Sequence, residues 1–215
     1  MSTNHPKLLI REDGTFRLDD VRLSYPHLFK AWAGESSEEG KVQQKKFSAS
    51  LLIPLTSHKN EIIAIRKQAL ILAREEFMPK GADANKWQFP ADKLCIRNGN
   101  GTGKAEQEGH WFLKASELTR PATVGARNEP VAEEDGVFFA GCFVSVNFRL
   151  WAQNNKFGKR INANLLAVKF MRKGDPLAES GPRPDVSDVF GGMEEEGDDF
   201  GGGDGLGGDG LDDGL

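Results

Sequence analysis

The chain has 215 residues, 38% of them hydrophobic, and a formal net charge of −4. That length fits one domain with extensions around one modest core. No run of eighteen apolar residues marks a transmembrane helix and the first residues lack the apolar stretch of a signal peptide, so a cytoplasmic location is expected.

The net charge conceals a division. Residues 185–215 hold eleven Asp or Glu and no Lys or Arg. The rest of the chain carries all 28 basic residues against 21 of the 32 acidic ones, a balance of +7. Such asymmetry points to nucleic-acid binding by the body and to an acidic interaction tail. We divide the chain into a flexible segment (1–14), a binding domain (15–178) and a tail (179–215).

In chain order, TFRLDDVRLSYP reads as a strand ending in the alternation Val21, Leu23, Tyr25 against Arg22 and Ser24. The polar stretch AWAGESSEEGKVQQ reads as a mobile loop. KKFSASLLIPL then alternates Phe47, Ala49, Leu51 and Ile53 against Lys46, Ser48 and Ser50. Ser57 to Phe77 is the one clear helix, with Ser57 as its cap. Ile62, Ile65, Ala69, Leu72, Ala73 and Phe77 form one face, and Arg66, Lys67, Arg74 and Glu75 line the other. Pro79 and Gly81 end it. LCI (94–96), HWFLKAS (110–116) and a long hairpin from GVFFAGCFVSVNFRLWAQ through NNKFGK to RINANLLAVKFMRKG complete the body. Short strands, Gly-rich turns and one amphipathic helix predict a mainly β fold, a small barrel or sandwich. The tail is one-signed in charge and has eleven Gly among its 31 residues, so a disordered segment is expected. Phe190, Met193, Phe200, Leu206, Leu211 and Leu215 are spaced among its acids, as a docking motif requires.

Catalytic and metal motifs are wanting. RNGNGTGKA (97–105) has Asn98 where a Walker A loop needs Gly and Ala105 where it needs Ser or Thr, so nucleotide hydrolysis is not expected. Two readings stay open for this loop: a plain flexible connection, or one whose Arg97 and Lys104 touch phosphates. The four His and two Cys have no metal-ligand spacing, and Cys95 and Cys142 read as buried reduced thiols. Neither an enzyme nor a cofactor is expected.

Residues 136–174 contain seven Lys or Arg and no Asp or Glu. Within GCFVSVNFRLW, Cys142, Val144, Val146, Phe148 and Leu150 take one side of a strand, and Phe143, Ser145, Asn147, Arg149 and Trp151 the other. Aromatics and cations on one face are what a single-stranded nucleic acid needs, rings for base stacking and cations for the backbone. HWFLKAS repeats the arrangement, with Trp111, Leu113 and Ala115 inward and His110, Phe112, Lys114 and Ser116 outward. The hairpin turn adds Lys156, Phe157, Lys159 and Arg160. The competing account of Phe143 and Trp151 is burial under a loop or in a homodimer interface.

The order of YPHLF (25–29), KKFSASLLIP (45–54), the basic-faced helix, LCIRNGNG (94–101), WFLKASELTRP (111–121) and the block at 141–177 resembles phage-encoded single-stranded-DNA-binding proteins of the OB-fold type with acidic tails. The resemblance implies a five-stranded OB-fold-like barrel with one α-helix. It implies sequence-independent binding of ssDNA in replication, recombination and repair, and tail contacts to replication proteins such as a polymerase or helicase. Familiar bacterial tails close on an aromatic residue, whereas this one closes on Asp212, Asp213 and Leu215 with Phe190 and Phe200 set inward. Phe112, Phe143 and Trp151 are the expected stackers, with Asn147 beside them. Lys46, Arg97, Lys114, Arg149, Lys156, Lys159 and Arg160 are the expected phosphate contacts. The alternatives are a strand-annealing or recombination-mediator protein, and an interaction protein whose tail mimics DNA.

Overall fold

A computed structural model of the chain describes residues 6–33 and 44–177. Five long strands build the molecule: β2 (Thr15–Trp32), β3 (Lys46–Pro54), β5 (His110–Glu117), β7 (Phe143–Asn155) and β8 (Gly158–Arg172). Three strands of three residues, β1 (Leu8–Ile10), β4 (Ile96–Asn98) and β6 (Ala122–Val124), extend them, and α1 spans Lys59–Phe77. The strand order is β4-β5-β3-β2-β7-β8-β6, with β1 on β2. All pairs are antiparallel except β6 with β8. A parallel bridge from Leu94 to Ile161 brings the β4 side of the sheet against β8 and curls it into a barrel.

β2 makes that closure geometrically feasible. Its 18 residues pair with β7 through Thr15–Arg22 and with β3 through Arg22–Trp32. The register slips between Leu18 and Val21 and again between Ser24 and His27. Asp20 and Tyr25 sit at φ 59° and 46° in these slips. Each is a bulge that bends the strand, so one strand can serve both sides of the barrel. Pro26 falls within the second slip, a position where its missing N–H breaks no ladder bond.

The core is the inward side of the long strands. Leu18, Leu23, Leu51, Ile53, Leu113, Val144, Val146, Phe148 and Leu165 are fully buried, and Phe148 stacks on Phe16 at 5.1 Å. α1 buries Ile62, Ile65, Ala69, Ala73 and Phe77. Its second half joins Leu94, Ile161, Trp87, Phe89, Leu150 and Ala152 in a satellite cluster under the base of the hairpin.

Two local expectations change. Ser57 does not cap α1: its Oγ engages His58 Nδ1 at 2.8 Å, and His58 occupies the cap position and reaches the Asp19 carbonyl at 3.0 Å. Residues 8–10, expected within a flexible arm, pair with β2 from Leu8 opposite Leu18 to Ile10 opposite Phe16, because Leu8 finds apolar cover on the core. The proposed tail residues Phe190, Phe200, Asp212, Asp213 and Leu215 lie outside the described residues.

Candidate nucleic-acid interface

Residues directly opposite one another across a ladder share a face of the sheet. Following the register outward from β4 gives one row on the outer side of the sheet, in which Leu52 is fully buried. Arg97 lies opposite Phe112, Phe112 opposite Leu52, and Leu52 opposite Arg22. Arg22 then lies opposite Phe143, and Phe143 opposite Arg172. Three cations and two rings therefore line up over six strands. The pairing is physical as well as positional: guanidinium carbons lie over rings at 5.0 Å for Arg97 on Phe112, 5.7 Å for Arg22 on Phe143 and 3.3 Å for Arg172 on Phe143.

The two ends of the row differ in how their cations are held. Arg22 donates to the Gly141 carbonyl at 3.3 Å and the Asp175 carbonyl at 2.5 Å, and Arg172 pairs with Asp20 at 2.7 Å. At the other end Arg97 has no ion pair among the described residues, and its buried Nε has no hydrogen-bond partner. Lys114 lies 5.8 Å from the centre of the same Phe112 ring. Burial, and then the charges of Arg97 and Lys104, hold the Lys114 ammonium below its ordinary pKa of 10.5. Lys104 reaches the Tyr25 hydroxyl at 3.2 Å, which also approaches Glu106. Mutually repelling cations at one spot make a site that an anion would relieve.

The loop that carries Lys104 is fastened at its base. Gly99 donates to the His110 carbonyl at 2.9 Å, and a Cβ at Gly99 would collide with the Gln107 and His110 carbonyls. Of the two readings open for 97–105, the structure brings Arg97, Lys104 and Lys114 together.

Phe112 needs a correction. It lies on the outward side, as its alternation predicts, but it is only 5% exposed. Arg97 and Lys114 cover its ring, so it supports the cations and offers bases no free face. Phe143 is half-buried between its two arginines. Asn147 spends an N–H on the Phe16 carbonyl at 3.1 Å, which ties β7 to β2.

Arg149 and Trp151 continue the outward side of β7 onto the hairpin, where Trp151 is 37% exposed opposite Asn162. Arg160 lies on that side too, opposite Gln153. Lys159 does not: opposite Asn154, it turns to the helix side and lies 5.5 Å from the Phe77 ring. Lys156 sits at the tip beside the exposed Phe157. Lys46 alternates with Ser48, Ser50 and Leu52 on the outward side of β3, and it lies opposite Trp32.

Sequence reading missed four members of the surface. Trp32, 51% exposed, stacks on His27 at 4.7 Å, and both lie in the part of β2 beyond Pro26. Arg22 had its parity in view and Arg172 was one of the cations of 136–174, but only the register between distant strands sets them around Phe143. Cys95 and Cys142 are buried and unpaired with each other, and burial pushes Cys95 up to about 12. No group of three or more His, Cys, Asp or Glu suited to a metal occurs among the described residues, and no helix there is long and apolar enough to cross a membrane.

A curved β-barrel whose outer face carries interleaved cations and aromatic rings defines a class of nucleic-acid-binding module. Residues 15–200 match the family described as the ssDNA-binding protein of Enterobacter phage Enc34, and the chain belongs to that family. The structure is similar to the single-stranded DNA-binding protein from bacteriophage Enc34 in complex with ssDNA, at 30% identity and a TM-score of 0.69, over 82% of this chain and 96% of that one. A C-terminal truncation of the same phage protein matches at 31% identity and a TM-score of 0.67, over 82% and 95%. A putative protein p50 of Acyrthosiphon pisum secondary endosymbiont phage 1 is 28% identical over 167 residues, 77% of this chain and 87% of that protein.

Proposed function

We propose that this chain binds single-stranded DNA without catalysis and without sequence preference, during phage DNA replication, recombination and repair in the host cytoplasm. The observation that carries this reading is the row from Arg97 to Arg172, with Lys104 and Lys114 gathered near Arg97, whose Nε has no partner among the described residues. Family membership supports it, as does the Enc34 protein solved with ssDNA. Arg97, Lys104, Lys114 and Lys46 hold phosphates; Trp32, Phe143 and Trp151 stack bases; Arg149, Lys156 and Arg160 guide the strand over the hairpin.

The binding domain is 15–178, and the acidic tail 179–215 competes with DNA and recruits replication proteins through Phe190, Phe200 and Leu215. The charges of −11 and +7 support this division of labour. Titration of fluorescent poly-dT at several salt concentrations tests the binding. Four to seven phosphate contacts on a single strand give a slope of about −3 to −5 in log K against log salt. A flat response overturns the reading. On an oligonucleotide that holds one copy, deleting 185–215 tightens binding at low salt, and it abolishes pull-down of a replicative polymerase; equal affinities reject competition, and an undiminished pull-down rejects recruitment.

A further inference from the structure

The exposed side of α1 has a chemistry that DNA binding does not use. Ile63, Arg66, Lys67, Leu70, Ile71 and Arg74 fall at helical spacing on one stripe and line a shallow cavity of about 490 Å³. Ile63 is 56% and Ile71 38% exposed. Three cations flank three aliphatic side chains, and no acid is among the lining residues. The Arg66 guanidinium lies 5.4 Å from the Trp111 ring, and its buried Nε has no partner among the described residues. An ordinary solvated helix face mixes both signs of charge; this one is apolar along its centre and cationic at its rim.

We infer that this stripe docks the acidic segment 188–200 of a second copy of the chain. That segment, DVFGGMEEEGDDF, sets Val189, Phe190, Met193 and Phe200 among acids and has no basic residue. The spacing fits as well as the charge. Phe190 and Met193 are three residues apart, about 10 Å in extended chain. Ile63 and Leu70 are seven apart on the helix, a rise of about 10 Å. With Phe190 and Met193 on the aliphatic centre, Glu194, Glu195 and Glu196 follow toward the cations.

The inference rests on the single-strand reading for one thing, the lining up of copies. The 16 residues from 177 to 193 reach roughly 20–24 Å, so neighbours on one strand present the segment to each other at an effective concentration on the order of millimolar. Docking then makes binding along a strand cooperative.

The test mixes isotope-labelled and unlabelled full-length protein on poly-dT with a zero-length carbodiimide cross-linker. Mixed-isotope links from Lys67 to carboxylates of 188–200 are expected. Ile71→Glu, which keeps Lys67, lowers their yield about ten-fold, the effect of losing one buried aliphatic contact. Ile63→Glu does the same, and both changes lie at exposed positions. In parallel, each variant loses about ten-fold in affinity for long poly-dT and none for an oligonucleotide that holds one copy. Links that bypass Lys67 for Lys46, Lys104 or Lys114, links only within one isotope, or variant yields equal to wild type overturn the docking. Failure of both proteins to bind any oligonucleotide instead overturns the single-strand reading.

Discussion

The row around Phe112 and the hairpin around Trp151 have nearly the same composition and opposite construction. On the barrel, the ring is buried and the cations lie over it. On the hairpin, Trp151 and Phe157 are exposed and the cations stand beside them. The difference comes from what lies behind each strand. β5 is flanked by β3 and β4, and the side chains of Arg97 and Lys114 close over its outer side. The pairing of β7 with β2 ends at Arg149 opposite Thr15, and only β8 accompanies it further. Neighbouring strands thus bring two cations over Phe112, whereas Trp151 on the hairpin stays exposed.

The largest effect expected is on stability. Phe112→Ala should destabilise the fold by about 3–5 kcal/mol, as buried aromatic truncations do. Phe148→Ala, fully buried on the inward side of β7, should cost about the same. Urea unfolding measures both. If Phe112→Ala melts like wild type while affinity falls, Phe112 is a stacker and the contrast between the regions fails.

Trp151→Ala should behave in the opposite way, keeping its unfolding midpoint and losing roughly 1–3 kcal/mol of affinity for ssDNA. An unchanged affinity with a lowered midpoint would make the hairpin ring structural. Phe143 sharpens the test because it is intermediate: half-buried between Arg22 and Arg172, its replacement by Ala should cost both stability and affinity.

Charge neutralisation on the barrel face separates phosphate contact from stacking. The double change Arg97→Ala with Lys114→Ala removes two cations and should reduce the magnitude of the salt slope by about 1.4, from roughly 0.7 for each single-strand phosphate contact. Trp151→Ala should leave that slope as it is. A slope unmoved by the double change would take the strand away from this end of the row.

Much of this was legible from the chain, and the misses have physical causes. Period-two alternation placed β3, β5 and both faces of β7, because burial on one side writes itself into every second residue. The end of β2 was lost at Pro26, where a bulge lets a proline sit within a strand, and Trp32 and His27 were lost with it. Parity gave the direction of Phe112 without its burial, since burial depends on Arg97 and Lys114 approaching from other positions. The encirclement of Phe143 by Arg22 and Arg172 depends on pairings 121 and 29 positions apart, which no local pattern carries.

The smallest effect expected is a pH dependence at the barrel face. Lys114 is held below its ordinary pKa of 10.5 by burial, Arg97 and Lys104. The folded protein thus sheds this proton at lower pH than the unfolded chain, and in that window the unfolded state binds more protons. Stability must then rise with pH on approaching 10.5, as an unfavourable charge is removed from the fold. DNA reverses the preference, because a phosphate beside Lys114 favours the ammonium. Affinity should therefore fall over the same window in which stability rises. Lys114→Gln removes the titrating group, so both slopes should flatten in the variant while the tryptophan surface on the hairpin is untouched. Unfolding midpoints and poly-dT titrations at pH 7 to 10, wild type against Lys114→Gln, measure this directly. Parallel curves for the two proteins would mean that Lys114 carries no strained charge and that the cluster around Phe112 is not awaiting an anion.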